Sequence, residues 1–327
     1  MADVPGQDSD WRPTAALSAL HARATLLAQV RAFFAARGVL EVETPVLGRH
    51  TVTEPGVESI ALEQPAGRRW YLQTSPEYAM KRLLAAGAGD IFQICKVFRQ
   101  SESGRRHSPE FTLLEWYRRD MNWDGFILEC VVLLQELLPR WSGVPARHWT
   151  YRELLRGALG ADPFTATDGE LAGALAVRGV VIGTDAALPR AALLDLAYDH
   201  AVRAAGAGIH TVRDFPPAAA ALARIVTGAD GSAVAERCEL LVDGVEIGNG
   251  YHELRDAGEQ ARRFASDRGH RRAAGQDDVA PDPRLLAALA AGLPECCGMA
   301  IGLDRVLMCA LGVAHIDAVL AFAGERA

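Results

Sequence analysis

The sequence predicts an α+β fold, an antiparallel sheet flanked by helices, on the strength of three stretches: residues 98–118, 238–254 and 298–308. In the first, DIFQICKVFR and FTLLEWYR alternate and are rich in β-branched and aromatic residues, so they read as two strands flanking a long polar loop. A period of two puts Phe111, Leu113, Glu115 and Tyr117 on one face and Thr112, Leu114 and Trp116 on the other. An aromatic, a carboxylate and a phenol in register make a poor core face and suit a ligand floor, with Arg99 standing over it from the end of the preceding strand. In the second stretch Asp243-Gly244 is a strong hairpin signal. Counting outward pairs Val242 with Val245, Leu241 with Glu246 and Glu239 with Gly248. Glu239 and Glu246 are then diagonal neighbours, roughly 7–8 Å apart. Such a pair suits Mg²⁺, which takes one or two carboxylates and completes its shell with water and substrate phosphates; a solvated, salt-bridged hairpin is the alternative. In the third stretch Asp304 and Arg305 open an apolar helix that stops at Gly312. A helix N-terminus attracts phosphate, and Arg305 there reads as a phosphate clamp. Together the stretches describe a sheet-based site for ATP that activates a carboxylate.

The remaining elements follow in chain order. Residues 1–13 are polar, contain two prolines and read as loose. Leu17, Leu20, Ala24, Leu27, Val30 and Phe34 trace one helical face, ended by Gly38. In LEVETP, Leu40 and Val42 share one side of a strand and Pro45 ends it. Ser75 reads as the N-cap of PEYAMKRLLAAG, with Pro76 at the first helical position. A helix carrying Phe126, Val131, Leu134 and Leu138 follows, and residues 143–213, rich in Ala and Gly, read as a helix-prone insertion.

Bulk properties narrow the function classes. The motifs run from end to end of the 327 residues, which favours one catalytic domain over two. A net charge of −7 argues against a strongly basic nucleic-acid surface. The six cysteines show no metal spacing, and the adjacent pair Cys296 and Cys297 is not a disulfide framework. With no signal peptide and no apolar run of about 18 residues, a cytoplasmic protein is expected.

GVLEVETPVL, TSPE, RRHSPEFTLLEWY, ELLVDGVEIGNGYHEL and GMAIGLDR, in that order, resemble the signature segments of the class II aminoacyl-tRNA synthetases, closest to the lysyl branch. About twenty residues precede the first helix, where lysyl-tRNA synthetases carry an anticodon-binding barrel; the resemblance is therefore to the paralogues that attach (R)-β-lysine to a lysine of elongation factor P. DFPPAAAALARI is similar to that subgroup too. The resemblance implies ATP and (R)-β-lysine as substrates, Mg²⁺, elongation factor P as acceptor in place of tRNA, and a homodimer formed through the first helix and strand, although an ordinary core helix reads the same way. A synthetase fragment acting on tRNA and an inactive regulatory paralogue are the alternative classes.

By that resemblance, Arg99 takes the α-phosphate, while Arg305 and His107 take the far phosphates or the adenine edge. Phe111 stacks on adenine, with Ser108, Leu240 and Gly302 also in the ATP site, and Glu239 and Glu246 hold the metal. Glu77, beside Ser75, takes the amino group near the carboxylate; Glu253 and Tyr117 take the distal ammonium, which needs partners when buried; Asn249 contacts the carboxylate. Glu115 is either an orienter of these groups or a structural partner. Lysyl enzymes have Glu at the position of Ser101 here, which leaves the adenine contact open between Glu102, backbone near Ser101 and a different arrangement. Ala300 replaces their usual Gly, and its methyl reshapes the pocket around the substrate's backbone end.

Overall fold

The computed structural model describes residues 11–100, 102–181 and 188–326; residues 1–10 and Ser101, on which two expectations fell, lie outside them. The strands are β1 (Leu40–Glu41), β2 (Leu47–Gly48), β3 (Ala61–Gln64), β4 (Arg68–Leu72), β5 (Ile91–Phe98), β6 (Glu110–Arg119), β7 (Arg147–Thr150), β8 (Ile209–Phe215), β9 (Ile225–Thr227), β10 (Ala233–Val242), β11 (Val245–His252) and β12 (Cys296–Gly302). The helices are α1 (Leu17–Ala35), α2 (Glu77–Ala85), α3 (Trp123–Leu137), α4 (Tyr151–Leu159), α5 (Asp168–Val177), α6 (Arg190–Ala204), α7 (Ala257–Ala273), α8 (Pro283–Gly292) and α9 (Leu303–Leu311).

The large sheet runs β1-β5-β6-β12-β11-β10-β8-β7, with β9 beside β10, and a small sheet runs β2-β4-β3. Its centre is antiparallel, and only the outer pairs β1·β5 and β7·β8 are parallel. The expected faces of β6 hold: Leu114 and Trp116 pack into the main core with α1, α3 and α9, while Phe111, Leu113, Glu115 and Tyr117 line a cleft on the other side. Segment 143–213 contains α4, α5 and α6, and its ends also supply β7 and β8, which extend the main sheet.

Two local expectations are corrected. The stripe that α1 buries is Ala19, Leu26, Val30, Phe33 and Phe34, rotated from the anticipated one, and Leu17 is exposed. Phe33 and Phe34 draw the helix round, because Phe34 stacks on Phe92 at 4.5 Å and touches Trp116. Helix α2 begins at Glu77 with Pro76 as its cap residue. Ser75 still accepts a hydrogen bond from the Glu77 N–H at 3.0 Å, so it satisfies one free donor of the first turn.

Candidate active site

The cleft lies over the open face of β6, β12 and β11 and is also lined by Val52, Glu54 and Val57 on one side and by Arg99, Glu102 and His107 on another. One end is built for ammonium groups. Glu115 is buried in the middle of β6, where Ser75 Oγ donates to one oxygen at 2.6 Å and Tyr117 OH to the other at 2.7 Å. Glu77 and Glu253 are joined by Lys81, one turn along α2 from Glu77: its Nζ lies 2.7 Å from Glu77 Oε1 and 2.5 Å from Glu253 Oε2. Lys81 is 1% exposed, so its contact with Glu253 is fully desolvated, while Glu77 keeps an edge on the cleft. Gly298 makes this corner possible. A Cβ there would come within 2.4 Å of the Tyr117 ring and 2.6 Å of Glu253 Oε1, so any side chain would push the phenol and the carboxylate off the floor.

Three carboxylates lie around one ammonium here, and burial raises the pKa of two of them, Glu115 and Glu253. Glu115 is pushed up to about 7, first by burial and then by the charge of Glu77. Glu253 is raised as well, by burial, with Lys81 opposing. Lys81 is held protonated, because the two carboxylates outweigh its desolvation. The corner therefore retains a proton near neutrality and is short of positive charge.

The other end is cationic. Arg99 follows β5, its Nη1 2.9 Å from Glu102 Oε1 and its guanidinium 5.1 Å from the centre of the Phe111 ring. Arg305, in the first turn of α9, donates to the Glu246 carbonyl at 2.9 Å and lies 2.6 Å from His107 Nε2. A guanidinium can only donate, so His107 accepts there and is neutral with its proton on Nδ1. Its pKa is lowered accordingly, by burial first and Arg305 second. Arg106, Ser108, Asn249, Ala300 and Gly302 also line the cleft. Asp304, at the edge of the cleft, accepts from the Thr112 N–H at 2.6 Å and pairs with Arg23, and so pins α9 to β6 and α1.

The hairpin departs from the expected register. Val242 faces Val245 and Leu241 faces Glu246 as anticipated, but the register shifts between Leu240 and Leu241, so that Leu240 faces Gly248 and Glu239 faces Asn249. Ile247 is the extra residue, a β-bulge that re-aims the side chains on either side. Positive φ at Asp243 and Gly244 gives the tight turn itself. Glu239 is buried beside the cleft wall: Arg237 Nη2 donates to it at 2.6 Å and Tyr198 OH at 2.7 Å. Glu246 is half exposed at the cleft. The Leu240 side chain belongs to the core, leaving only its backbone for a ligand. Burial and the charge of Glu246 push Glu239 up to about 7, which a divalent cation between the two would relieve.

Comparison with known proteins settles the family. Residues 9–326 match the family described as tRNA synthetases class II (D, K and N). The chain belongs to the class II tRNA synthetases. It is 41% identical over 338 residues to the elongation factor P–(R)-β-lysine ligase of Haemophilus ducreyi, covering 100% of both chains. It is 43% identical over 327 residues to the ligase of the same name from Vibrio cholerae serotype O1, covering 98% of this chain and 99% of the relative. Against the one from Salmonella gallinarum it is 42% identical over 328 residues with the same coverage.

In this class II site, sequence reasoning brought together Ser75, Glu77, Arg99, Glu102, His107, Phe111, Tyr117, Glu246, Asn249, Glu253, Ala300 and Arg305, all of which line the one cleft. It missed Lys81, Gly298, Arg237 and Glu54. Lys81 did leave a signal, since the helical period sets it beside Met80 and Leu84, on a face that must be buried.

Proposed function

We propose that this chain activates (R)-β-lysine with ATP as an aminoacyl-adenylate and passes the acyl group to a lysine side chain of elongation factor P. The observation that carries the reading is the division of one cleft into an arginine end and a carboxylate end, in a chain that matches ligases of that name along their whole length. A substrate carboxylate oxygen attacks the α-phosphorus and pyrophosphate leaves. Charge grows on the phosphate oxygens, and fixed cations aimed at them supply most of the catalysis. Arg99 takes the α-phosphate, and Arg305 with His107 takes the outer phosphates. Phe111 offers its ring to adenine. Asn249, whose Oδ1 accepts from Arg237 at 3.0 Å, is oriented to meet the reacting carboxylate. Glu253 and Tyr117 close on the distal ammonium.

ATP brings Mg²⁺, and Glu246 with Glu239 behind it would hold the cation, which would neutralise the phosphates. Among the described residues no group of three or more His, Cys, Asp or Glu forms a metal cage, which accords with an ion held largely by substrate phosphates and water. A homodimer is proposed through the N-terminal segment, where Leu40, Val46 and Leu47 are exposed. No described helix is long and apolar enough to cross a membrane; we place the enzyme in the cytoplasm, with its acceptor.

ATP–pyrophosphate exchange with (R)-β-lysine and α-lysine side by side tests the reading, and exchange with neither would refute it. The corner also fixes a pH dependence. An ammonium binds ionised carboxylates, and raised pKa values keep protons on them to near pH 7, so binding must expel protons there. The KM for the amino acid is expected to fall as pH rises from about 6 to about 8; a KM that is flat or rises over that span would count against the assignment. Ala300 stands between Glu115 and Asn249 across the sheet, and its methyl narrows the floor at the substrate's carboxylate end. Ala300→Gly is expected to erode the preference for (R)-β-lysine over α-lysine by about 1–3 kcal/mol, read as the ratio of kcat/KM values. An unchanged ratio would remove Ala300 from the specificity account.

A further inference from the structure

The carboxylates around the cleft are nearly all spoken for. Lys81 holds Glu77 and Glu253, Arg99 holds Glu102, Ser75 and Tyr117 hold Glu115, Thr112 and Arg23 hold Asp304, and Glu246 faces Arg305 at 3.9 Å. Glu54 is different. Its side chain opens onto the cleft and, among the described residues, makes neither a hydrogen bond nor an ion pair. Yet its backbone is fixed. Buried Arg271 of α7 donates to the Glu54 carbonyl at 3.0 Å and the Val57 carbonyl at 3.3 Å, Gln276 donates to the Pro55 carbonyl at 2.9 Å, and Thr53 Oγ1 donates to Asp267 at 2.9 Å. A loop anchored on both sides of one residue holds that residue's unpartnered carboxylate in place over the floor.

We propose that Glu54 receives the substrate's proximal ammonium, the one nearest the carboxylate being activated. The charges that bear on Glu54 most strongly are Arg237, Arg99, Glu77 and Asp267, so its carboxylate lies within electrostatic reach of Arg99, the arginine that meets the α-phosphate, as well as of Glu77. The Glu54 side chain is exposed to the cleft; the surrounding protein raises its pKa by desolvation, and the two arginines draw it back toward the ionised form. Glu77 and Glu253 both already hold Lys81, whereas Glu54 offers the cleft a carboxylate with no ion pair among the described residues. A diamino acid then puts its distal charge on Glu253 and Tyr117 and its proximal charge on Glu54. The assignment rests on the amino-acid activation proposed above.

The test compares Glu54→Gln with the native enzyme in pyrophosphate exchange, using (R)-β-lysine as substrate and 6-aminohexanoate, which lacks the proximal amine, as a competitive inhibitor. The kcat/KM for (R)-β-lysine is expected to fall about tenfold or more, the scale of a lost hydrogen bond to a charged group. The inhibition constant of 6-aminohexanoate and the KM for ATP are expected to stay constant, and Glu54→Asp to recover part of the loss. Equal weakening of both amino acids, or unchanged exchange, would overturn the assignment. Unchanged exchange with impaired transfer to elongation factor P would overturn it in favour of a role toward the acceptor amine. Native enzyme inactive with every diamino acid would instead bring down the activation reading, and the assignment with it, before any substitution is made.

Discussion

Arg99→Ala is expected to slow ATP–pyrophosphate exchange by about 10²- to 10³-fold, equivalent to about 2.7–4 kcal/mol, if it resembles removal of one donor from an oxyanion site. The guanidinium is already gathered over the Phe111 ring and held by Glu102, so it needs little rearrangement when charge builds on the α-phosphate. The loss should fall on kcat more than on either KM, because the interaction strengthens in the transition state. Arg99→Lys keeps a charge without the planar fork and should recover only part of the rate. Exchange at the native rate in Arg99→Ala would remove this residue from the chemistry.

Lys81→Met is expected to cost about 3–5 kcal/mol of folding stability, since it leaves the buried Glu253 and the partly buried Glu77 without their cation. The sign of its pH dependence follows from linkage. Glu253, whose folded pKa is raised, keeps a proton that the unfolded chain releases above about 4.5, so its share of the cost is absent below that pH and grows as pH climbs through the folded value. Denaturant unfolding should therefore show a larger deficit at about pH 8 than at about pH 5. A uniform deficit, or none, would mean that Lys81 is not the charge that holds Glu77 and Glu253 together.

Much of this site was legible because strands and helices repeat. A period of two placed Glu115 and Tyr117 on the cleft face of β6 and Trp116 in the core, and Asp243-Gly244 marked the turn before β11. The bulge at Ile247 was not legible, because one unpaired residue leaves the hydrophobic alternation intact on either side of it. Neither was β8, whose parallel neighbour β7 lies at the far side of three helices, so no local hairpin signal joins them. Lys81 was obscured by its own chemistry: a Glu–Lys pair four residues apart usually marks a solvated helix face, and only the packing of α2 against α8, in an apolar cluster that includes Cys296, makes this one internal. Glu54 sits in a loop without period, and what distinguishes it is the set of partners it does not have.

The central claim concerns where the activated acyl group goes. The most direct measurement incubates the enzyme with ATP, (R)-β-lysine and either elongation factor P or tRNA, then reads the intact mass of the protein and the acylation of the tRNA. The account predicts a mass increase of one β-lysyl group on elongation factor P, located at a lysine side chain, with tRNA left uncharged. Unmodified elongation factor P beside efficiently charged tRNA would contradict it.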